Sequence, residues 1–234
     1  MSALRSPLSP SLRQGVNQQL ALIAQGLASE KRLEMLEYLA QTERCVDELS
    51  HLAGLTVANT SRHLQVLKQA ALVVVRREGK RRFYRLTGDD VVTLVASLRN
   101  TAEIHLAEVE RLMGSYFTQK DALEAISAAE LLERTQQGEV TVLDIRPEKE
   151  FAAGHLPHAI NIPPEKIAQR ISALDNTQTI VAYCRGPYCL YSYDAVKLLL
   201  EKGFTAQRLE EGFPEWRAAG YPVQYPKENN VDQI

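Results

Sequence analysis

Apolar residues recur at helical spacing from about Val16 to Ala40: Leu20, Ile23 and Leu27, then Leu33, Leu36 and Leu39, with Ser29 placed to cap the second of two helices. Cys45 to Gly54 has the pattern of a short helix stopped by glycine. Thr56 then stands at the N-cap of a longer helix to Ala70, whose Leu64, Val66 and Leu67 make the buried stripe. Beyond it the period changes from helical to alternating. "LVVVRR" and "RRFYRL" are β-branched or aromatic runs that flank "EGK", the pattern of a hairpin with Gly79 in its turn.

Helix, tight turn, helix and hairpin assemble most economically as a winged helix-turn-helix, a mainly α domain of α+β type. From about Asp89 to Phe117 the spacing predicts one long helix. Val91, Val95, Leu98, Ala102, His105, Val109, Leu112 and Tyr116 fall in steps of four and three, a seam that asks for a partner helix, most simply a second copy in a homodimer. His105 reads as a polar residue tolerated at that seam.

From Ala125 the pattern changes again. "VTVLDIR" and "TIVAYCR" are buried parallel-strand runs, while "AAELLERTQQ", "PEKIAQRISAL" and "YSYDAVKLLLEKG" are helical; a strand and a short helix follow in "AQRLEEGFPEWRAAGYPV". This predicts a second, small α/β domain with a parallel sheet. The expected division is a flexible N-terminus at 1–15, a DNA-binding and dimerisation domain at 16–118, a linker at 119–124, the α/β domain at 125–225 and a tail at 226–234.

Charge separates the two halves. Residues 1–118 hold 15 Lys and Arg against 12 Asp and Glu, and the remainder 12 against 17. Arg62 to Arg85 alone has eight basic residues and only Glu78 acidic, a footprint suited to a polyanion. On the helix from Thr56 the polar residues Thr56, Asn59, Ser61, Arg62 and His63 lie where base edges and phosphates of duplex DNA would run. Arg62 has paired donors suited to guanine. Arg77, Lys80, Arg81 and Arg82 of the hairpin are placed to neutralise backbone phosphates.

No apolar run approaches the length of a membrane span, and the first residues lack the apolar core of a secretory signal, so a cytoplasmic protein with no membrane partner is expected. Three cysteines are too few and too odd in number for a disulfide scaffold. Two of them stand five residues apart in "VAYCRGPYCLY", which reads as a metal knuckle, a redox pair or the loop of a sulfur nucleophile. Cys184 follows a strand, Gly186 frees the loop backbone, and a helix from about Tyr191 points its positive end at the loop, all of which favour a thiolate. No second cysteine pair completes a zinc site.

The segment from "ASEKRLEMLEYL" to "RRFYRL", and above all "SRHLQVLKQAALV" beside the wing, resembles the ArsR family of dimeric winged-helix repressors. That resemblance implies a homodimer on a palindromic double-stranded operator, released by an inducer. Many members bind metal through a cysteine pair, or through a carboxylate-histidine set on the last helix. Here only Cys45 stands in the first region, and Glu103 and His105 supply half of the second, so no metal site and no cofactor are expected.

Ala125 to Val223 resembles a rhodanese domain, through "VLDIRPEKEFAAGHLPHAINIP", the cysteine loop and "EEGFPEWRAAGYPV". The resemblance implies that Cys184 is the nucleophile that takes a sulfane sulfur as a persulfide. It makes Arg185, Gly186, Pro187, Tyr188 and Cys189 the amide cradle, with Asp144 and Arg146 as supporting ion-pair partners. Rhodanese members that use thiosulfate often carry a cation where this chain has Cys189, which leaves Arg185 to hold a sulfonate and permits Cys189 to close on Cys184. The expected partners are operator DNA, a second copy and a small sulfur donor such as polysulfide, persulfide or thiosulfate. A repressor that senses sulfane sulfur is the preferred reading. A DNA-tethered sulfurtransferase, and a metal- or arsenic-responsive repressor with an inert rhodanese module, stay open beside it.

Overall fold

The computed structural model describes residues 10–117 and 125–226, with the side chains of 10 and 115–117 left aside; Tyr116 of the expected seam and the 119–124 linker lie outside the described side chains. The chain divides into two compact units, 1–91 and 92–234. Among the described residues no helix is long and apolar enough to cross a membrane.

The first unit opens with α1 (Pro10–Leu27) and α2 (Glu30–Gln41). Helix α1 starts at Pro10, ahead of the start that periodicity marks at Val16, because proline's fixed φ suits a first helical position. Ser29 is the N-cap of α2 as expected, but its side chain makes no capping bond; its carbonyl accepts the Arg32 and Leu33 N–H groups instead. Strand β1 (Arg44–Cys45) leads into α3 (Val46–Leu52) and α4 (Val57–Gln69). Gly54 turns the chain between the two helices at φ +63, the left-handed region that glycine enters without strain.

Strands β2 (Val73–Glu78) and β3 (Arg81–Leu86) pair antiparallel in the register Glu78 to Arg81, so Gly79 and Lys80 alone make the turn, with Gly79 at φ +56. The three strands order as β1-β3-β2. Met35, Leu36, Leu39, Leu49, Leu64, Leu67 and Leu72 are buried and form the core that fixes α4 in place.

The single helix expected from Asp89 to Phe117 is two: α5 (Asp90–His105) and α6 (Ala107–Phe117). The interruption is small. Leu106 N–H still donates to the Ala102 carbonyl, and its own carbonyl accepts from both Val109 and Glu110, so one tightened turn joins the segments.

In the second unit the strands β4 (Ala125–Ile126), β5 (Val140–Asp144), β6 (Ile160–Asn161), β7 (Thr179–Tyr183) and β8 (Ala206–Leu209) form a parallel sheet in the order β4-β8-β7-β5-β6. Helices α7 (Ala128–Gln136), α8 (Glu148–Ala152), α9 (Ile167–Arg170) and α10 (Leu190–Glu201) connect them, and α11 (Phe213–Ala218) follows β8. The helix expected over Pro164 to Leu174 is α9 flanked by two 3-10 turns.

Strand alternation assigns the two cores. Val142, Val181 and Tyr183 face Leu131, Phe213 and Trp216, while Leu143, Ile180 and Ala182 face Ile171, Val196 and Leu199. Both faces of the sheet are therefore covered, and β7 is its central strand.

Candidate functional site

On α4 the Thr56 hydroxyl accepts the Asn59 N–H at 3.2 Å, so this N-cap is occupied in holding the helix start. Thr56, Asn59 and Arg62 are exposed; Ser61 and His63 are half-buried. The buried Leu64 and Leu67 turn this polar face outward.

The wing sorts its arginines by strand alternation. Arg76 is bound by Glu43 at 2.6 Å and by Glu78 at 2.5 Å, and its guanidinium lies 4.8 Å from the Phe83 ring centre. Those hydrogen bonds, Glu43 first, raise its pKa further above the ordinary arginine value. Arg77 instead faces Arg82 across the hairpin. Both are exposed, as are Lys80 and Arg81, and among the described residues no salt bridge engages any of the four. Like charges directly opposed on a hairpin cost stability.

Cys45 is the free cysteine, and it is buried. It stands at the N-cap of α3, where the Glu48 carboxylate accepts its backbone N–H at 3.0 Å. Glu103, a half-set metal candidate, accepts the Tyr188 hydroxyl. Among the described residues no group of three or more His, Cys, Asp or Glu is placed to hold a metal ion.

Cys184 directly follows the central strand β7 and is 2% exposed, at the carboxyl edge where open α/β sheets carry their sites. It is disulfide-bonded to Cys189, the N-cap residue of α10, across a Cα–Cα distance of 6.2 Å. The loop between them bends back on itself, with Cys189 N–H donating to the Gly186 carbonyl at 3.1 Å. Two corrections to the expected cradle follow. Pro187 has no N–H to offer, and in this paired state the Cys189 amide is already spent within the loop.

Arg185 is corrected as well. Its guanidinium grips the Glu150 carboxylate in a bidentate pair at 2.7 and 2.9 Å, and the Glu150 side chain is only 1% exposed. The cation expected to hold a sulfonate is thus engaged. Asp144 and Arg146 are the structural pair that the sequence suggests. Both are fully buried, joined at 2.7 Å, with Arg146 also donating to the Gly154 carbonyl at 2.8 Å and lying 4.1 Å over the Phe213 ring. Burial acts to lower the Arg146 pKa, but the charge and hydrogen bonds of Asp144 outweigh it and leave the pKa raised. Tyr183 donates its hydroxyl to Asp144, and burial first, then the Asp144 charge, push its pKa well up.

Two supports of the loop are not singled out by sequence reasoning. Phe213 N–H, at the start of α11, donates to the Cys184 carbonyl at 3.1 Å. Gly212 packs so closely that a Cβ there would lie 2.3 Å from the Gly186 nitrogen and 2.5 Å from the Arg185 carbonyl carbon. The glycine of "EEGFPEW" was the available signal, but only the packing says what it touches.

Comparison with known proteins matches residues 29–74 to bacterial regulatory proteins of the arsR family and residues 127–219 to the rhodanese-like domain. The "Sulfurtransferase" of Allochromatium vinosum is 31% identical over 38% of this chain and 82% of its own length. A solution structure of the homodimeric winged helix-turn-helix DNA-binding domain Mb0332 from Mycobacterium bovis is 35% identical, covers 45% of this chain and 94% of that one, and has a TM-score of 0.39. The HTH-type transcriptional regulator Rv0324 of Mycobacterium tuberculosis is 43% identical over 88% of this chain and 90% of its own length. A match that spans both units places this chain in the arsR family of bacterial regulatory proteins, as a transcriptional regulator that carries a rhodanese-like domain.

Proposed function

We propose that the protein is a homodimeric, cytoplasmic repressor that binds duplex DNA through α4 and the wing and senses sulfane sulfur at Cys184. The observation that carries this reading is the pairing of Cys184 with Cys189 at the end of the central strand. The Cys184 thiolate attacks the sulfane sulfur of a persulfide RSSH; the S–S bond breaks, RS⁻ leaves and takes a proton, and Cys184 holds Sγ–SH. The Cys189 thiolate then attacks Cys184 Sγ, the bond to the terminal sulfur breaks, and HS⁻ leaves. In sum, two thiols and RSSH give one disulfide, RSH and H2S, with the sulfane sulfur as oxidant.

Engagement of Arg185 by Glu150 supports persulfide over thiosulfate as donor, since the sulfonate loses its expected cation. Leu98 and Leu112 of the expected seam are exposed, as are Leu94, Ile104 and Leu106 near them, and this apolar surface along α5, α6 and their junction supports the dimer, because a second copy covers surface of this kind. On α4, Thr56, Asn59, Ser61, Arg62 and His63 face the major groove, and Arg77, Lys80, Arg81 and Arg82 meet phosphates.

The test is a titration of operator DNA, enriched from a random library by the dithiol protein, with dithiol and with persulfide-treated protein. Weaker binding after treatment, with one H2S released per chain and no response in Cys184→Ser, is expected. Equal affinity in the two states overturns the sensing role. The similarity to a sulfurtransferase favours a second reading, an enzyme tethered to DNA. Repeated turnover with glutathione persulfide is its mark, since a sensor reacts once.

A further inference from the structure

The second compact unit includes α5 from Val92 onward together with the rhodanese-like domain, and within it side chains tie the cysteine loop to that helix. Arg99 Nη1 lies 3.3 Å from Glu215 Oε1, with the two side chains only 16% and 17% exposed. The same guanidinium sits 5.0 Å from the centre of the Tyr188 ring. One helical turn further on, Glu103 accepts the Tyr188 hydroxyl. Arg99 and Glu103 thus share a face of α5 at the spacing of four that makes neighbours on a helix.

Both interactions lead back to Cys184. Tyr188 is inside the ring that the Cys184–Cys189 bond closes, next to Cys189 itself. Glu215 also accepts the Gly212 N–H at 3.2 Å, and Gly212 abuts the backbone of Arg185 and Gly186. Closing so small a ring restricts the backbone angles available at Tyr188, so the ring state bears directly on how its ring and hydroxyl meet α5.

We propose that Arg99 and Glu103 are positioning residues that read the state of the Cys184–Cys189 loop through Tyr188, making α5 the element by which sulfur chemistry alters DNA affinity. This rests on the sulfur-sensing reading. Coupling requires that the latch differ in free energy between the dithiol and disulfide forms, and α5 also carries exposed Leu98 of the expected dimer seam, with exposed Leu94 one turn before it.

The experiment compares full-length wild type, Arg99→Gln, Glu103→Gln and Arg99→Lys. DNA affinity is measured in both thiol states, H2S release per chain with glutathione persulfide, and amide hydrogen exchange over residues 92–105. In the wild type the affinities should differ by about tenfold, a common size for allosteric coupling. The two glutamine variants should bring the difference below about twofold while H2S release is kept, and Arg99→Lys should restore part of it. A full difference in both glutamine variants overturns the latch, and so does loss of H2S release in them, since the residues would then serve the chemistry itself. If the wild type shows no affinity difference, the sensing reading fails. Hydrogen exchange then decides the latch alone: it stands if exchange over 92–105 differs between thiol states in the wild type and not in Glu103→Gln, and falls otherwise.

Discussion

The wing and the rhodanese-like site use arginine in opposite ways. In the wing, Arg77 and Arg82 oppose one another, exposed, with no acid engaging them among the described residues. In the second unit, Arg146 is fully buried against Asp144, and Arg185 is clamped bidentate on Glu150. The same side chain is in one place an exposed charge that no acid engages among the described residues and in the other a strut whose charge the fold consumes. Composition counts them alike; neighbours decide what each can do.

The largest break in this comparison comes at Arg146. Arg146→Ala leaves Asp144 charged and fully buried, which should cost about 3–5 kcal/mol. Trp216 is the chain's single tryptophan and is 2% exposed within the second unit, so its fluorescence in a urea titration reports this loss without interference from the first unit. Operator affinity of the dithiol form should survive in conditions where the first unit stays folded.

Glu150→Gln sharpens the contrast by giving Arg185 back to the loop. Thiosulfate should then bind better, with a half-saturating concentration roughly tenfold lower, the scale of one charge-assisted hydrogen bond. The rate of single-turnover loss of the Cys184 thiol at rising thiosulfate checks it; an unchanged half-saturating concentration means that Arg185 has no access to the anion.

In the wing the expected effect is on salt dependence. Arg77→Ala and Arg82→Ala should each reduce the slope of log affinity against log salt by about 0.9 for every phosphate that is no longer neutralised. Thermal stability should move by no more than about 0.5 kcal/mol, upward if the opposed charges strain the hairpin. An unchanged slope removes these residues from the DNA interface.

The smallest effect is expected at Glu211, the acid in the second unit whose Oε2 is buried without a hydrogen-bond partner among the described residues. Burial raises its pKa. The folded state therefore holds its proton more tightly than the unfolded chain does, so the carboxyl favours folding at low pH and this advantage is lost as pH rises through the folded pKa. Glu211→Gln should raise the melting temperature at pH 7, and the gain should vanish as pH falls below the ordinary carboxylate range. A gain of equal size at all pH values would exclude ionisation as its cause.

Much of the fold was legible. The α4 helix runs from the Thr56 cap as expected, the Gly54 and Gly79 turns take positive φ, and Cys184 sits at the end of a buried parallel strand. Each of these follows from information held within a few residues: a capping hydroxyl, a residue without Cβ, a run of β-branched side chains. The interruption at Leu106 escaped, because the apolar steps of four and three continue through it and periodicity senses side-chain spacing rather than a tightened backbone turn. The expected Pro164 to Leu174 helix failed likewise, since apolar spacing does not separate α from 3-10 winding over so short a stretch.

The sequence by itself determined most of the elements and the position of Cys184 after a buried strand, since periodicity, caps and turn residues act locally, whereas the compact units divide at 91/92 rather than at the expected 118/119. Only the tertiary structure decided what the charges and cysteines meet: Arg185 is bound to Glu150 from a strand away, Cys45 is buried at the start of α3, Gly212 lies against the loop backbone, and Arg99 against Tyr188. Such partners lie far apart along the chain, and their meeting depends on how packed elements bring surfaces together, which no local pattern records.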